Sequence, residues 1–199
     1  MTDVSFLRDL PLDDEQFSTT DAARETHARD WGTPASAGVR PDAVVWPEST
    51  GDVAAVLSAA DERGVPVTPY AAGTGIEAGA VAVRGGISLD TTRMDDVLGV
   101  HPDDFLLDVE PGVTGGVLDE TTARHGLFFP PLPTSGNTAT VGGMVATNAG
   151  GRRTVRYGKV GDWVRQLEVV LADGSVVTLG SRAAKSSSGY NLRDLVVGS

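Results

Sequence analysis

Chemistry is first suggested by the run Pro69-Tyr70-Ala71-Ala72-Gly73-Thr74-Gly75-Ile76-Glu77-Ala78-Gly79-Ala80. Small side chains let the backbone approach a ligand closely. Consecutive amides in such a turn form a concave nest of donors that suits a phosphate or pyrophosphate. Thr74 adds a hydroxyl. No Gly-Lys-Ser/Thr follows, so this is not a Walker loop, and the G-x-G-x-x-x-G spacing is not the Rossmann fingerprint. A tight structural turn accounts for the same composition about as well.

The second candidate is Pro133-Thr134-Ser135 followed by Thr140-Val141-Gly142-Gly143-Met144-Val145-Ala146-Thr147-Asn148-Ala149-Gly150-Gly151. Glycine, alanine, hydroxyls and one amide occur here without a charge. A neutral wall rich in backbone donors suits a flat, polar-edged ligand such as an isoalloxazine ring. The competing reading is a buried helix of small residues packed on a sheet. Arg152, Arg153, Arg156, Tyr157 and Lys159 come next. They offer charge to a phosphate or an anionic substrate, or they are simply a solvated face.

Other chemistries find little support. The chain lacks cysteine, which removes disulfides, thiolate zinc sites and cysteine nucleophiles. His27, His101 and His125 are far apart and show no metal-ligand spacing. No Ser/Asp arrangement accompanies His101 or His125, so a triad is not indicated. Asp13-Asp14, Asp95-Asp96 and Asp103-Asp104 read as caps or turn acids. Trp31, Trp46 and Trp163 read as core or interface anchors.

The elements that must position these residues follow from pattern. Residues 1 to 40 read as a helical preamble, with a short helix over Asp21 to Trp31 closed by Gly32, Pro34 and Gly38. A strand is expected at Ala43 to Trp46. Ser49 and Asp52 give a capping-box-like start to a helix that Gly64 stops. Val65 to Thr68 is the next strand, which makes Ala43 to Thr68 one β-α-β unit feeding the glycine-rich loop. Strands are expected at Ile87 to Asp90, Val97 to Val100 and Phe105 to Val109, the last two as a hairpin. Thr114 to His125 fits an amphipathic helix with Val117, Leu118 and Thr121 on one side. Asp173-Gly174 is the strongest hairpin signal, between Val164 to Leu171 and Ser175 to Leu179. The segment from Gly126 to Thr140 reads either as a boundary between two lobes or, equally well from the strand count, as part of one shared core.

Composition bounds the function. The 199 residues carry 16 basic and 27 acidic side chains, a formal net charge of −11, which argues against nucleic-acid partners. The start lacks an apolar signal region, and the uncharged stretch Gly126 to Gly151 is too interrupted by proline and glycine for a membrane span. A cytoplasmic location is expected, with a peripheral position on the inner membrane face as the other option. The ending at Val196-Val197-Gly198-Ser199, straight after an apolar run, reads as a chain cut short.

Five ordered segments together resemble the flavin-binding domain of the FAD-linked oxidases, the family of vanillyl-alcohol oxidase and p-cresol methylhydroxylase. The nearest look is to its D-lactate dehydrogenase and glycolate oxidase flavin-subunit branch. The segments are VPVTPYAAGTGIEAGA, DVEPGVT, TVGGMVATNAGGRRTVRYG, LEVVLADGSVV and GYNLRDLVVGS, and coverage runs from about Pro41 to Ser199. The resemblance implies an α+β fold of two lobes that hold FAD, with a helical segment over 1–40 and the FAD-binding domain over 41–199. It implies that Ala71, Ala72, Gly73, Thr74, Gly75 and Ile76, with Gly79, cradle the pyrophosphate. It further implies that Pro133 and Thr134 stand beside the flavin, that Thr140, Gly142, Gly143 and Ala146 run along the ring and ribityl chain, and that Asn148, Gly150, Tyr157 and Gly158 lie next to them. Leu132 stands where the family often has aspartate, and Ala71 and Ala72 replace glycine or arginine. Two Cβ atoms fit there if φ is negative.

The implied activity is oxidation of a small D-2-hydroxy acid, D-lactate or glycolate, by hydride transfer to flavin N5, with electrons leaving to an acceptor or a partner subunit. Without His or Cys in either block, FAD is expected to be non-covalent. The family's substrate cap, with its histidines, has no counterpart in these residues, so no catalytic residue and no metal ligand is assigned. The alternatives are a sugar or aldonolactone oxidase of the same fold, and a non-catalytic FAD-binding module or subunit.

Overall fold

The computed structural model describes residues 2–34 and 37–199. It divides into two compact units. One comprises the residues up to Met94 together with Val170–Val176, the other Asp95–Val169 with Val177–Ser199. The division therefore falls at Met94/Asp95 and not between Gly126 and Thr140. The boundary reading fails because the Gly126–Thr140 segment is tied into its own unit: Gly115 N–H donates to Ala139 O at 2.9 Å, and Thr114 pairs with Thr140.

The first unit is built on a four-stranded sheet. β1 (Phe17–Ser18) runs antiparallel to β2 (Ala43–Val45). β4 (Ile87–Asp90) lies parallel between β2 and β3 (Val67–Tyr70), giving the order β1-β2-β4-β3. The expected β-α-β unit is thus present but split, with β4 inserted between its two strands. Helix α2 (Thr50–Glu62) joins them and starts where the sequence places it, with Ser49 Oγ accepting from Asp52 N–H at 3.1 Å. Gly64 ends it at φ +62°. β2 and β4, the two inner strands, are buried along their whole length; β2 is wholly apolar, whereas β4 alternates the apolar Ile87 and Leu89 with the buried polar Ser88 and Asp90. Phe6 and Leu7, from a short 3-10 turn, complete the core around Val45, Val56, Ala60 and Ile87.

β3 begins and ends two residues later than expected. The reason is its edge position, where Pro69 is tolerated because its missing N–H faces away from the ladder. Helix α1 (Asp21–Thr26) is shorter than expected, because His27 leaves the helical path and turns its ring inward.

The second unit carries the expected hairpin of β5 (Val97–His101) and β6 (Leu106–Val109), turned through a 3-10 segment at Pro102–Asp104 with Phe105 at φ +55°. Helix α3 (Gly115–Ala123) is capped by the Thr114 hydroxyl. Its inner side is Gly115 and Leu118. Val117 was expected beside Leu118, but it is 44% exposed. Helices α4 (Val141–Ala146) and α5 (Thr154–Tyr157) follow, with α6 (Arg193–Val196) near the end. Strands β7 (Gln166–Val170) and β8 (Val176–Gly180) form the second hairpin, and Gly174 at φ +85° confirms its turn. The core of this unit gathers Ala139, Met144, Val145 and Val160.

Candidate functional site

In the first unit, the loop after β3 is held from behind by residues that the sequence pattern reads as the end of a helix. Trp31 N–H donates to Gly73 O at 2.9 Å and Gly32 N–H to Gly75 O at 3.3 Å. The loop carbonyls are thereby drawn to one side. Among the described residues, no backbone N–H from Ala71 to Ala80 donates to another protein group. Buried or ordered amides are normally paired, so a row of free donors on a partly exposed loop is a surface prepared for acceptors. Gly73, at φ +61°, must be glycine, and a Cβ there would reach the Tyr70 hydroxyl at 2.5 Å. Ala71 and Ala72 have negative φ, so both methyl groups are accommodated. Gly79 has open space on its side-chain face.

Gly32 bears directly on this loop. A Cβ at Gly32 would overlap the Ile76 carbonyl group, a backbone atom that cannot swing aside. Gly32→Ala should therefore cost about 1–3 kcal/mol, as overpacking does. Gly75→Ala should cost little, because its Cβ would meet only Asp30 Oδ2 at an ordinary 3.6 Å. Paired thermal melts check this, and equal melting temperatures for the two variants would contradict it.

Beneath the loop lies a buried polar cluster. His27 Nε2 donates to Asp90 Oδ2 at 2.8 Å, and Trp46 Nε1 donates to the same oxygen at 3.1 Å. Thr92 N–H donates to Asp90 Oδ1 at 2.9 Å. Burial alone would raise the Asp90 carboxyl. The hydrogen bonds from His27 and Thr92, with the His27 charge, outweigh it and hold the group below the usual carboxylate range. The Tyr70 ring packs against His27 with centroids 4.5 Å apart. Burial, then the charges of Asp90 and Asp30, push the Tyr70 phenol above its ordinary value, so it stays a neutral donor. Of the three tryptophans, Trp46 thus anchors the unit, whereas Trp31 is 67% exposed.

In the second unit, the uncharged run forms α4 and the turn after it. Thr140 caps the helix, its hydroxyl accepting from Gly143 N–H at 3.3 Å. Met144 and Val145 face the core, while Gly143, Ala146, Thr147 and Gly150 are exposed. Gly143, Ala146 and Thr147 follow the i, i+3, i+4 spacing of one exposed, uncharged face, opposite the buried Met144 and Val145, whereas Gly150 lies beyond the helix, after Asn148 at φ +45°. The two glycines differ. Gly142 is wedged against Pro111, whose Cβ would lie 2.8 Å from an added methyl, whereas Gly143 has only Thr140 Oγ1 nearby, at 3.2 Å.

The remaining candidates around α4 are placed as follows. Pro133 is half-buried and Thr134 exposed. Asn148, at φ +45°, turns its Oδ1 to Gly161 N–H at 2.9 Å. Gly150 lies against the Thr154 hydroxyl. Tyr157 meets Phe128 edge-on at 5.8 Å, and its carbonyl accepts from Trp163 Nε1 at 2.8 Å. Gly158, at φ +77°, makes room for the Asp162 carboxylate, which accepts from Lys159 N–H at 2.8 Å.

Sequence reasoning missed Asp30, Gly32, His27 and Asp90. Each acts on a partner 40 or more positions away, and no local spacing reveals that. Among the described residues, no helix is long and apolar enough to cross a membrane.

A D-lactate dehydrogenase of Anaerostipes hadrus is 44% identical over 160 residues, covering 80% of this chain and 34% of that one. The glycolate oxidase subunit GlcD of Bacillus subtilis is 35% identical over 185 residues, covering 93% of this chain and 39% of that one. The chain thus spans little more than a third of the length of these relatives. A solved alkyldihydroxyacetonephosphate synthase matches the whole chain at a TM-score of 0.85 and 24% identity, covering 36% of that chain, which shows the shared fold. The sequence model described as FAD binding domain matches residues 41–180, and with that match the chain belongs to the FAD binding domain family of the FAD-linked oxidoreductases.

Proposed function

We propose that this chain binds FAD without a covalent link and serves as the cofactor-holding part of an oxidoreductase acting on a small D-2-hydroxy acid. The free N–H row from Ala71 to Ala80 carries the reading, because a pyrophosphate supplies the acceptors that those donors lack. Neutral donors suit a protein of net charge −11, whose affinity for phosphate cannot come from its overall field.

The residues present fit the group. Gly73, Thr74, Gly75 and Gly79 admit the diphosphate with the Ala71, Ala72 and Ile76 backbone, and the Gly143, Ala146, Thr147 and Gly150 face would take the ring or its ribityl chain. Pro133, Thr134, Thr140, Gly142, Asn148, Tyr157 and Gly158 would shape that wall from behind. Bound FAD supplies a hydride acceptor at N5 for the substrate α-carbon. The chain's own part is to fix the cofactor in extended form and keep its ring against an uncharged surface. Support for D-lactate or glycolate as substrate comes from the names of the relatives, and a partner subunit or other electron acceptor belongs to the same reading.

The test is reconstitution. The purified chain, incubated with FAD and desalted, should retain a flavin spectrum, and acid precipitation should release the flavin into the supernatant. A colourless protein would overturn the reading, and flavin left in the pellet would overturn its non-covalent part. Because the chain spans 34–39% of the relatives' lengths, a second reading is a module that holds FAD without turning over substrate. Bleaching of the bound flavin by D-lactate or glycolate supports the first reading, and retention without bleaching supports the second.

A further inference from the structure

We propose that Asp30 is a cofactor-binding residue, whose Oδ2 accepts a hydrogen bond from a sugar hydroxyl of FAD seated on the Ala71–Ala80 loop. The inference rests on the FAD reading above. Asp30 is 5% exposed, and its two oxygens are treated very differently. Oδ1 is fully engaged, accepting from Gly32 N–H at 3.1 Å and from the Thr33 hydroxyl at 2.6 Å. Among the described residues, Oδ2 is buried without a hydrogen-bond partner. An unpaired buried carboxylate oxygen is costly, and such groups call for a function that their environment supplies later.

The position of that oxygen says what completes it. Oδ2 is aimed at Gly75, where a Cβ would lie 3.6 Å away with no other atom within 4 Å. Gly75 is exposed, so the oxygen lies in van der Waals reach of the point where a side chain on this exposed loop would start. None of the loop's own N–H groups turns to it, since Gly73 and Gly75 are held through their carbonyls by Trp31 and Gly32. A pyrophosphate cannot satisfy a carboxylate, because it offers acceptors alone. The hydroxyls of the ribose and ribityl chains, directly attached on either side of the pyrophosphate, are the donors that a ligand on this loop brings with it. A hydroxyl entering over Gly75 would pair the orphaned oxygen.

The test compares wild type, Asp30→Asn and Thr33→Val by fluorescence titration with FAD and by ligand-free melting. Asparagine keeps the Oδ1 acceptor and the size, but puts a donor where Oδ2 stood. We expect Asp30→Asn to weaken FAD binding about tenfold or more, the scale of a hydrogen bond to a charged group. Its ligand-free melting temperature should stay at or above the wild-type value, because an unpaired charge is gone. Thr33→Val loosens Oδ1 alone, so it should lower the melting temperature and leave FAD affinity within about twofold. Titration with ADP and with FMN separates the two hydroxyl sources: a loss confined to ADP assigns the ribose, one confined to FMN the ribityl chain. Unchanged FAD affinity in Asp30→Asn overturns the proposal, and so does an equal loss in Thr33→Val. A wild-type chain that takes up no FAD overturns the FAD reading itself, and this one with it.

Discussion

Gly143→Leu should expel FAD and leave the fold standing. The added side chain grows from a position whose Cβ would meet only the Thr140 hydroxyl, at 3.2 Å. It projects from the exposed face shared with Ala146 and Thr147, away from Met144 and Val145 in the core. Leucine is also the better helix former by up to about 1 kcal/mol, so the melting temperature should hold or rise. A filled wall has no room for a ring, and FAD affinity should fall by about two orders of magnitude, roughly 3 kcal/mol. Gly75→Val is the matching change on the other stretch. Its Cβ makes an ordinary contact with Asp30, and the branched side chain screens the loop amides. Flavin content and melting curves measured side by side decide the matter. A variant that keeps wild-type flavin content removes its stretch from the cofactor site.

Asp90→Asn should be the most damaging single change to stability in the first unit. It replaces with a neutral amide the buried carboxylate that accepts from His27 Nε2, Trp46 Nε1 and Thr92 N–H. Hydrogen bonds to a charged group are worth about 1.5–3 kcal/mol each. The pH dependence follows from the carboxyl being held below its ordinary value. The folded state resists protonation more than the unfolded chain does, so this stabilisation is complete above the unfolded value of about 3.9 and is lost as pH falls from there through the lower folded value. Urea titrations at neutral and acid pH check both parts. Wild type should lose this component on acidification and the variant should not. A variant within about 0.5 kcal/mol of wild type at neutral pH would sink the idea.

What was legible in the sequence is what short-range chemistry dictates. The Ser49 cap, the Gly64 stop and the Asp173-Gly174 turn depend on neighbours within a few residues, and each stands where the pattern puts it. Strand order was not legible, because nothing in Ala43 to Thr68 says that β4 will part β2 from β3. Nor was the support under the loop, since Asp30 reads as part of a helix and Gly32 as its stop until Gly75 and Ile76 come to lie on them. Val117 shows a further limit: helical spacing identifies a face, but the packing decides how wide the buried part is.

The strand order also gives the loop after β3 a second task. β3 and β4 are adjacent and parallel, with Val67 opposite Ile87 and Tyr70 opposite Asp90. The connecting residues, 71–86, must therefore travel back along the whole sheet before β4 can start. That passage serves two ends at once, since the residues that bring the chain back to β4 include the loop Ala71–Ala80 with its unpaired amides. Where β4 enters the sheet is fixed by its own burial, because a slip of one residue would flip Ile87 and Leu89 away from the interior.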